Sequence, residues 1–97
     1  MKFKTPKSFE VAGQVFEVRM DPAIRDYADC CGQTHIDKAL VVIDPNLATP
    51  DIQAITYYHE LLHVILITIG RMDLNSDEAF IDNTASLLWQ AQKTSTY

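Results

Sequence analysis

Cysteine is nearly absent from this chain. The two it has, Cys30 and Cys31, are neighbours, and a bridge between adjacent cysteines strains the backbone, so a disulfide-stapled secreted scaffold is excluded and two reduced thiols are expected. Basic residues are scarce as well. Eight Lys and Arg stand against thirteen Asp and Glu, a net charge of -5, which argues against nucleic-acid or anionic-membrane partners. No apolar run approaches the length of a bilayer span: the longest, residues 64–69, covers about a third of the ~20 residues needed. The basic residues at 1–7 are followed by mixed polar sequence rather than by the apolar core of a secretory signal, so a cytoplasmic protein is expected. Repeats, low-complexity tracts and Pro/Gly-rich linkers are missing too. Residues 1–97 are expected to form a single domain, with room for one modest core and none for a second lobe.

What the chain does contain is concentrated in one stretch. His59-Glu60-Leu61-Leu62-His63 lies inside a strongly apolar segment, residues 52–69. Two histidines four apart on a helix sit about 6 Å apart along its axis and are turned by only some 40°, so both can ligate one small cation. The intervening glutamate points roughly 100° away, which suits it to bonding a metal-bound water as a general base.

The surrounding pattern predicts an α+β fold. β-rich positions on both sides of Gly13-Gln14 predict a hairpin over residues 9–20, Asp21-Pro22 ends it, and residues 23–29 read as a connector. Residues 32–36 form a candidate strand, with a turn at Asp37-Lys38. The apolar run 39–43 is the strongest strand in the chain and stops at Asp44-Pro45-Asn46. Thr49 as cap and Pro50 at the first helical position start a helix that runs to about residue 69 and stops at Gly70. A polar connection, residues 71–76, leads to a second helix over about 76–92, with Phe80, Ile81, Thr84, Leu87, Leu88 and Ala91 on its apolar face. A small antiparallel or mixed sheet of three to four strands, spanning about residues 9–44, is therefore expected to pack on a central helix, with a second helix following. Tyr57, Tyr58 and Trp89 are expected to pack in the core.

Two histidines need at least one more protein ligand. Asp73, Asp77, Glu78 and Asp82 are the downstream candidates. Glu78 and Asp82 lie one helical turn apart and face the same way, so the first can reach the metal while the second accepts a hydrogen bond from a ligating histidine. That pairing favours Glu78 over Asp73 and Asp77.

With these residues in place the chain resembles the gluzincins, zinc metallopeptidases that carry His-Glu-x-x-His on one helix and a glutamate ligand on the next. It looks most like the minimal and ImmA/IrrE-like members, small phage-encoded zincins among them. The resemblance implies Zn2+ held by His59, His63 and Glu78, Glu60 as the base, and Asp82 as the residue that orients a ligand. It also implies an edge strand bordering the substrate cleft, a position that residues 41–44 match. The reaction implied is peptide-bond hydrolysis by a zinc-bound water assisted by Glu60, with residues 40–43 pairing an extended peptide and a single protein target rather than general digestion. The larger members take the residue that stabilises the oxyanion from a C-terminal lobe that is missing here, leaving His35, Tyr27, Tyr57 or Tyr58 as substitutes. The alternative is a zincin fold without turnover, in which zinc staples the two helices of a regulatory or binding module. The pattern does not fix an oligomeric state.

Overall fold

The computed structural model describes residues 3–28 and 30–97. The readings that fell on Met1, Lys2 and Asp29 lie outside the described residues. The fold is α+β, a four-stranded mixed sheet with helices, as the pattern predicts.

The hairpin consists of β1 (Ser8–Val11) and β2 (Gln14–Met20), paired antiparallel. Its turn is Ala12-Gly13, one residue earlier than expected. Both turn residues have positive φ, 51° and 81°, as a two-residue turn that matches strand twist requires. The short helix α1 (Ile24–Ala28) stands where a connector was expected. Strand β3 (Gly32–His35) is followed by one turn of 3-10 helix, Ile36–Lys38, and then by β4 (Leu40–Ile43).

Strand order is β1-β2-β4-β3, with β2 and β4 parallel and β3 and β4 antiparallel. This corrects one expectation. The run 40–43 is not an edge strand bordering a cleft; it lies inside the sheet, whose edges are β1 and β3. The physical reason is visible in the burial. Val41, Val42 and Ile43 are all buried, so the strand is apolar on both faces because both are covered. Gly32-Gln33-Thr34-His35 is polar and only half-buried, which suits an edge.

Helix α2 (Pro50–Thr68) begins as its caps predict: Thr49 Oγ1 accepts from the amide of Ile52 at 3.1 Å, with Pro50 in the first turn. It ends in a left-handed glycine. Gly70 has φ 76°, its amide donates to Ile67 O, and the amide of Arg71 donates to Leu66 O, the paired bonds of a Schellman cap. The polar connection that follows contains a single helical turn, α3 (Met72–Asn75). Helix α4 (Glu78–Thr94) is capped by Asp77, whose side chain accepts from the amide of Phe80.

One side of α2 closes the sheet: Tyr57 and Val64 pack with Phe16, Val18, Val41 and Ile43. The other meets α4, where Leu62 and Leu66 pack with Ile81 and Ala85. Trp89 is buried, as expected. Phe3 lies against the rings of Tyr57, Tyr58 and Trp89, and Trp89 Nε1 donates to Asp51 Oδ1 at 2.6 Å. Among the described residues no helix is long and apolar enough to cross a membrane.

Candidate metal centre

The helical spacing of His59 and His63 does what it predicts. Their Nε2 atoms lie 3.2 Å apart, on the side of α2 that faces the start of α4. From there Glu78 extends its carboxylate, with Oε2 3.2 Å from His59 Nε2 and Oε1 3.6 Å from His63 Nε2. The three residues could hold one metal ion.

Their far sides are tied down. His59 Nδ1 lies 2.7 Å from Asp82 Oδ1, and His63 Nδ1 lies 2.8 Å from Asn75 Oδ1. An acceptor oxygen at each Nδ1 makes that nitrogen the N–H donor, so in the neutral ring Nε2 carries the lone pair. Two lone pairs and a carboxylate thus converge with no donor among them, an arrangement that could accommodate a cation. The spacings suit a small one. A tetrahedral ion bonded at 2.0–2.1 Å keeps its ligand atoms about 3.3 Å apart, close to the separations of 3.2, 3.2 and 3.6 Å found here.

The competing carboxylates are engaged elsewhere. Asp77 caps α4, and Asp73 makes two bonds to Arg71, at 3.0 and 2.8 Å. Glu78 and Asp82 stand at the two sides of the His59 ring, the first 3.2 Å from Nε2 and the second 2.7 Å from Nδ1.

Glu60 lies under β3, beside the His59, His63 and Glu78 group. It is 5% exposed, and its Oε1 accepts from Thr34 Oγ1 at 2.8 Å. Its second oxygen, Oε2, lies 3.9 Å from His59 Nε2, beyond bonding distance to the ligand atoms but beside them. Burial pushes the Glu60 carboxyl above the ordinary carboxylate range; the Thr34 bond and the two imidazoles pull it down, and Glu78 pushes it up further. A proton is therefore held more readily there than on a solvated glutamate.

A cleft of about 360 Å³ opens over the group, lined by Gly32, Thr34, His59, Glu60, His63 and Glu78 among others. Beside it, sharing Gly32, His59 and Glu60, is a hollow of about 310 Å³ whose lining includes Ile55, Thr56 and Cys30. None of His35, Tyr27, Tyr57 and Tyr58 lines either space. Tyr27 instead donates its hydroxyl proton to Asp21, and Tyr57 and Tyr58 belong to the aromatic cluster. Asn75 brings a neutral amide side chain to the cleft.

Sequence reasoning missed Asn75, Thr34 and Gly32. Asn75 was open to recognition as an amide one helical turn before Glu78. Thr34 carried no local signal, because its meaning depends on which strand crosses over α2. No known protein-family model, curated protein or solved structure matches this chain.

Proposed function

We propose that this chain is a small zinc-dependent peptidase of the gluzincin kind, acting in the cytoplasm on an extended segment of one protein target. The observation that carries the reading is the convergence of His59 Nε2, His63 Nε2 and the Glu78 carboxylate beside a separate, buried carboxylate at Glu60. A merely structural metal site has no use for the latter.

His59, His63 and Glu78 would hold the ion, with Asp82 and Asn75 keeping the two rings in the required tautomer. Zinc bound by two imidazoles and a carboxylate lowers the pKa of water toward neutrality and polarises a carbonyl. The chain's own residues supply the rest. Glu60 Oε2 faces the ligand group, takes the proton of the attacking water and returns it to the leaving amine. The raised affinity of Glu60 for a proton favours the first half of that transfer, uptake from the water.

The substrate would lie along β3. Cys31 O accepts from the amide of Asp44, so by antiparallel alternation the backbone groups of Gly32 and Thr34 point away from β4 and toward the open edge. An extended peptide pairs there as an added strand, with its scissile carbonyl over the cleft. The side-chain amide of Asn75 would be a neutral donor to the developing oxyanion. Cys30 and Cys31, which are not joined in a disulfide, suit a reducing compartment.

The group holds three ligands among the described residues, which leaves a position for water and favours turnover over the alternative of a zinc-stapled binding module. The test is metal content together with a chelator-sensitive peptide cleavage screen. One equivalent of zinc with cleavage that Glu60→Gln abolishes is expected. One equivalent with no cleavage of any peptide would favour the module, and zinc well below one equivalent would overturn both.

A further inference from the structure

Resting on the peptidase reading, we infer that edge strand β3 is a cradle for the base: Thr34 and Gly32 together set where the Glu60 carboxylate sits. A glutamate has three rotatable bonds, and α2 fixes only the first atom of its side chain. What holds the far end is on the other side of the cleft.

Thr34 and Gly32 are two residues apart in a strand and so share a face, the one laid against α2. Thr34 Oγ1 has a single proton to donate, and the 2.8 Å contact to Glu60 Oε1 takes it; the same hydroxyl is also 3.3 Å from Glu60 O. Gly32 acts by what it lacks. A Cβ at that position would stand 3.1 Å from both Cγ and Oε2 of Glu60, and 3.0 Å from Thr56 Cγ2, tighter than ordinary van der Waals contact. One carboxylate oxygen is therefore gripped while the space beside the other is kept clear, and Oε2 stays on the side of the ligand atoms, 3.9 Å from His59 Nε2.

The same strand thus has two faces of work. Its outward backbone receives the peptide, and its inward side chains hold the base that acts on it. Thr34 and Gly32 are positioning residues; neither touches the reacting atoms through its side chain.

The experiment compares Thr34→Val, Thr34→Ser and Gly32→Ala in the full chain, using two readouts. The first is the carbon-13 resonance of the Glu60 carboxylate, assigned by its loss in Glu60→Gln and followed with and without zinc. The second is peptide cleavage, resolved into kcat and KM. Thr34→Val, which keeps the shape and loses the donor, is expected to displace the resonance and lower kcat by roughly 10–100-fold, the scale of an ångström of misplacement, with KM within about twofold. Thr34→Ser is expected to restore the resonance and to bring kcat within roughly threefold, because it keeps the hydroxyl. Gly32→Ala is expected to move the resonance by crowding rather than by loss of a bond, and zinc content is expected to be unchanged in all three.

A Thr34→Val variant with wild-type resonance and wild-type kcat would overturn the proposal, as would Thr34→Ser behaving like Thr34→Val. If the wild type cleaves, Glu60→Gln does not and Thr34→Val is as fast as wild type, the peptidase reading stands and the cradle falls. If no peptide is cleaved but the resonance moves with Thr34→Val and returns with Thr34→Ser, the cradle stands and the peptidase reading falls.

Discussion

Asn75 Oδ1 and His63 Nδ1 meet at 2.8 Å across twelve residues of chain, mirroring the 2.7 Å contact of Asp82 with the ring of His59. Each imidazole of the candidate site therefore has its own anchor, one a carboxylate and one a neutral amide. Removing either anchor by alanine substitution is expected to weaken zinc binding by roughly 10–100-fold. Asn75→Asp keeps an acceptor in place and is expected to retain most of the affinity. Competition with a metal indicator measures all three.

Glu78 is the proposed third ligand, carried on the exposed first turn of α4 with a side chain 63% exposed. Glu78→Ala is expected to weaken zinc binding by more than the roughly 10–100-fold of losing an anchor, because a ligand itself is lost. Little change in the melting temperature of the metal-free protein is expected. An unchanged zinc affinity would remove Glu78 from the ligand set.

The carboxylate of Glu60 is costly to the fold. Its proton affinity is raised chiefly by burial, so the folded chain favours the neutral form. The stability attached to this group is greatest at low pH and falls as pH rises from the unfolded carboxyl range through the raised folded value. Glu60→Gln abolishes that loss. At pH 7 the metal-free variant is expected to melt above wild type, and the gap is expected to close as pH falls below the ordinary carboxyl range. Thermal melts of both proteins across pH test it.

Asp73 titrates in the opposite sense. Its bonds to Arg71 hold its carboxyl at about 2, against an ordinary value of 3.8. The pair supports the α3 turn at any pH above the ordinary value, and the support disappears as pH falls through about 2. Asp73→Asn is expected to flatten the acid limb of the stability profile in that window alone. Because both groups are exposed, added salt is expected to shrink the difference.

Ile81 is wholly buried where α4 meets Leu62 and Leu66 of α2. Ile81→Ala is expected to cost about 2–5 kcal/mol, measured by denaturant unfolding of the metal-free chain. Zinc, by binding only the folded form, is expected to recover part of it.

The helices and the site residues they carry were readable because their signals are local. Thr49-Pro50 and Gly70 bracket α2, and a spacing of four residues defines the His59 and His63 pair whatever the rest of the chain does. The sheet was read less well, because strand order is a property of pairing between distant segments. Hydrophobicity marked residues 40–43 as a strand but carried no sign of whether that strand was interior or edge. Its uniform apolarity, Val41 and Val42 alike, was the clue that both faces are covered. The hairpin turn was displaced because Ala12 occupies a left-handed conformation that alanine seldom adopts, so the glycine at 13 drew attention to the wrong pair. Thr34 was out of reach for a different reason: twenty-six residues separate it from Glu60, and only the fold makes them neighbours.

One tie described above lies far along the helices from the histidines. Trp89, near the end of α4, bonds Asp51 in the first turn of α2, and Lys93 reaches the same carboxylate at 3.4 Å. The two helices are thus pinned like a beam at two supports, one at the aromatic end and one at the ligand end. A slide of α4 along α2 by a single residue would carry Glu78 about 1.5 Å past the imidazoles. The indole hydrogen bond therefore sets the register in which α4 presents Glu78 to His59 and His63, acting through the stiffness of α4 rather than through any contact with those residues.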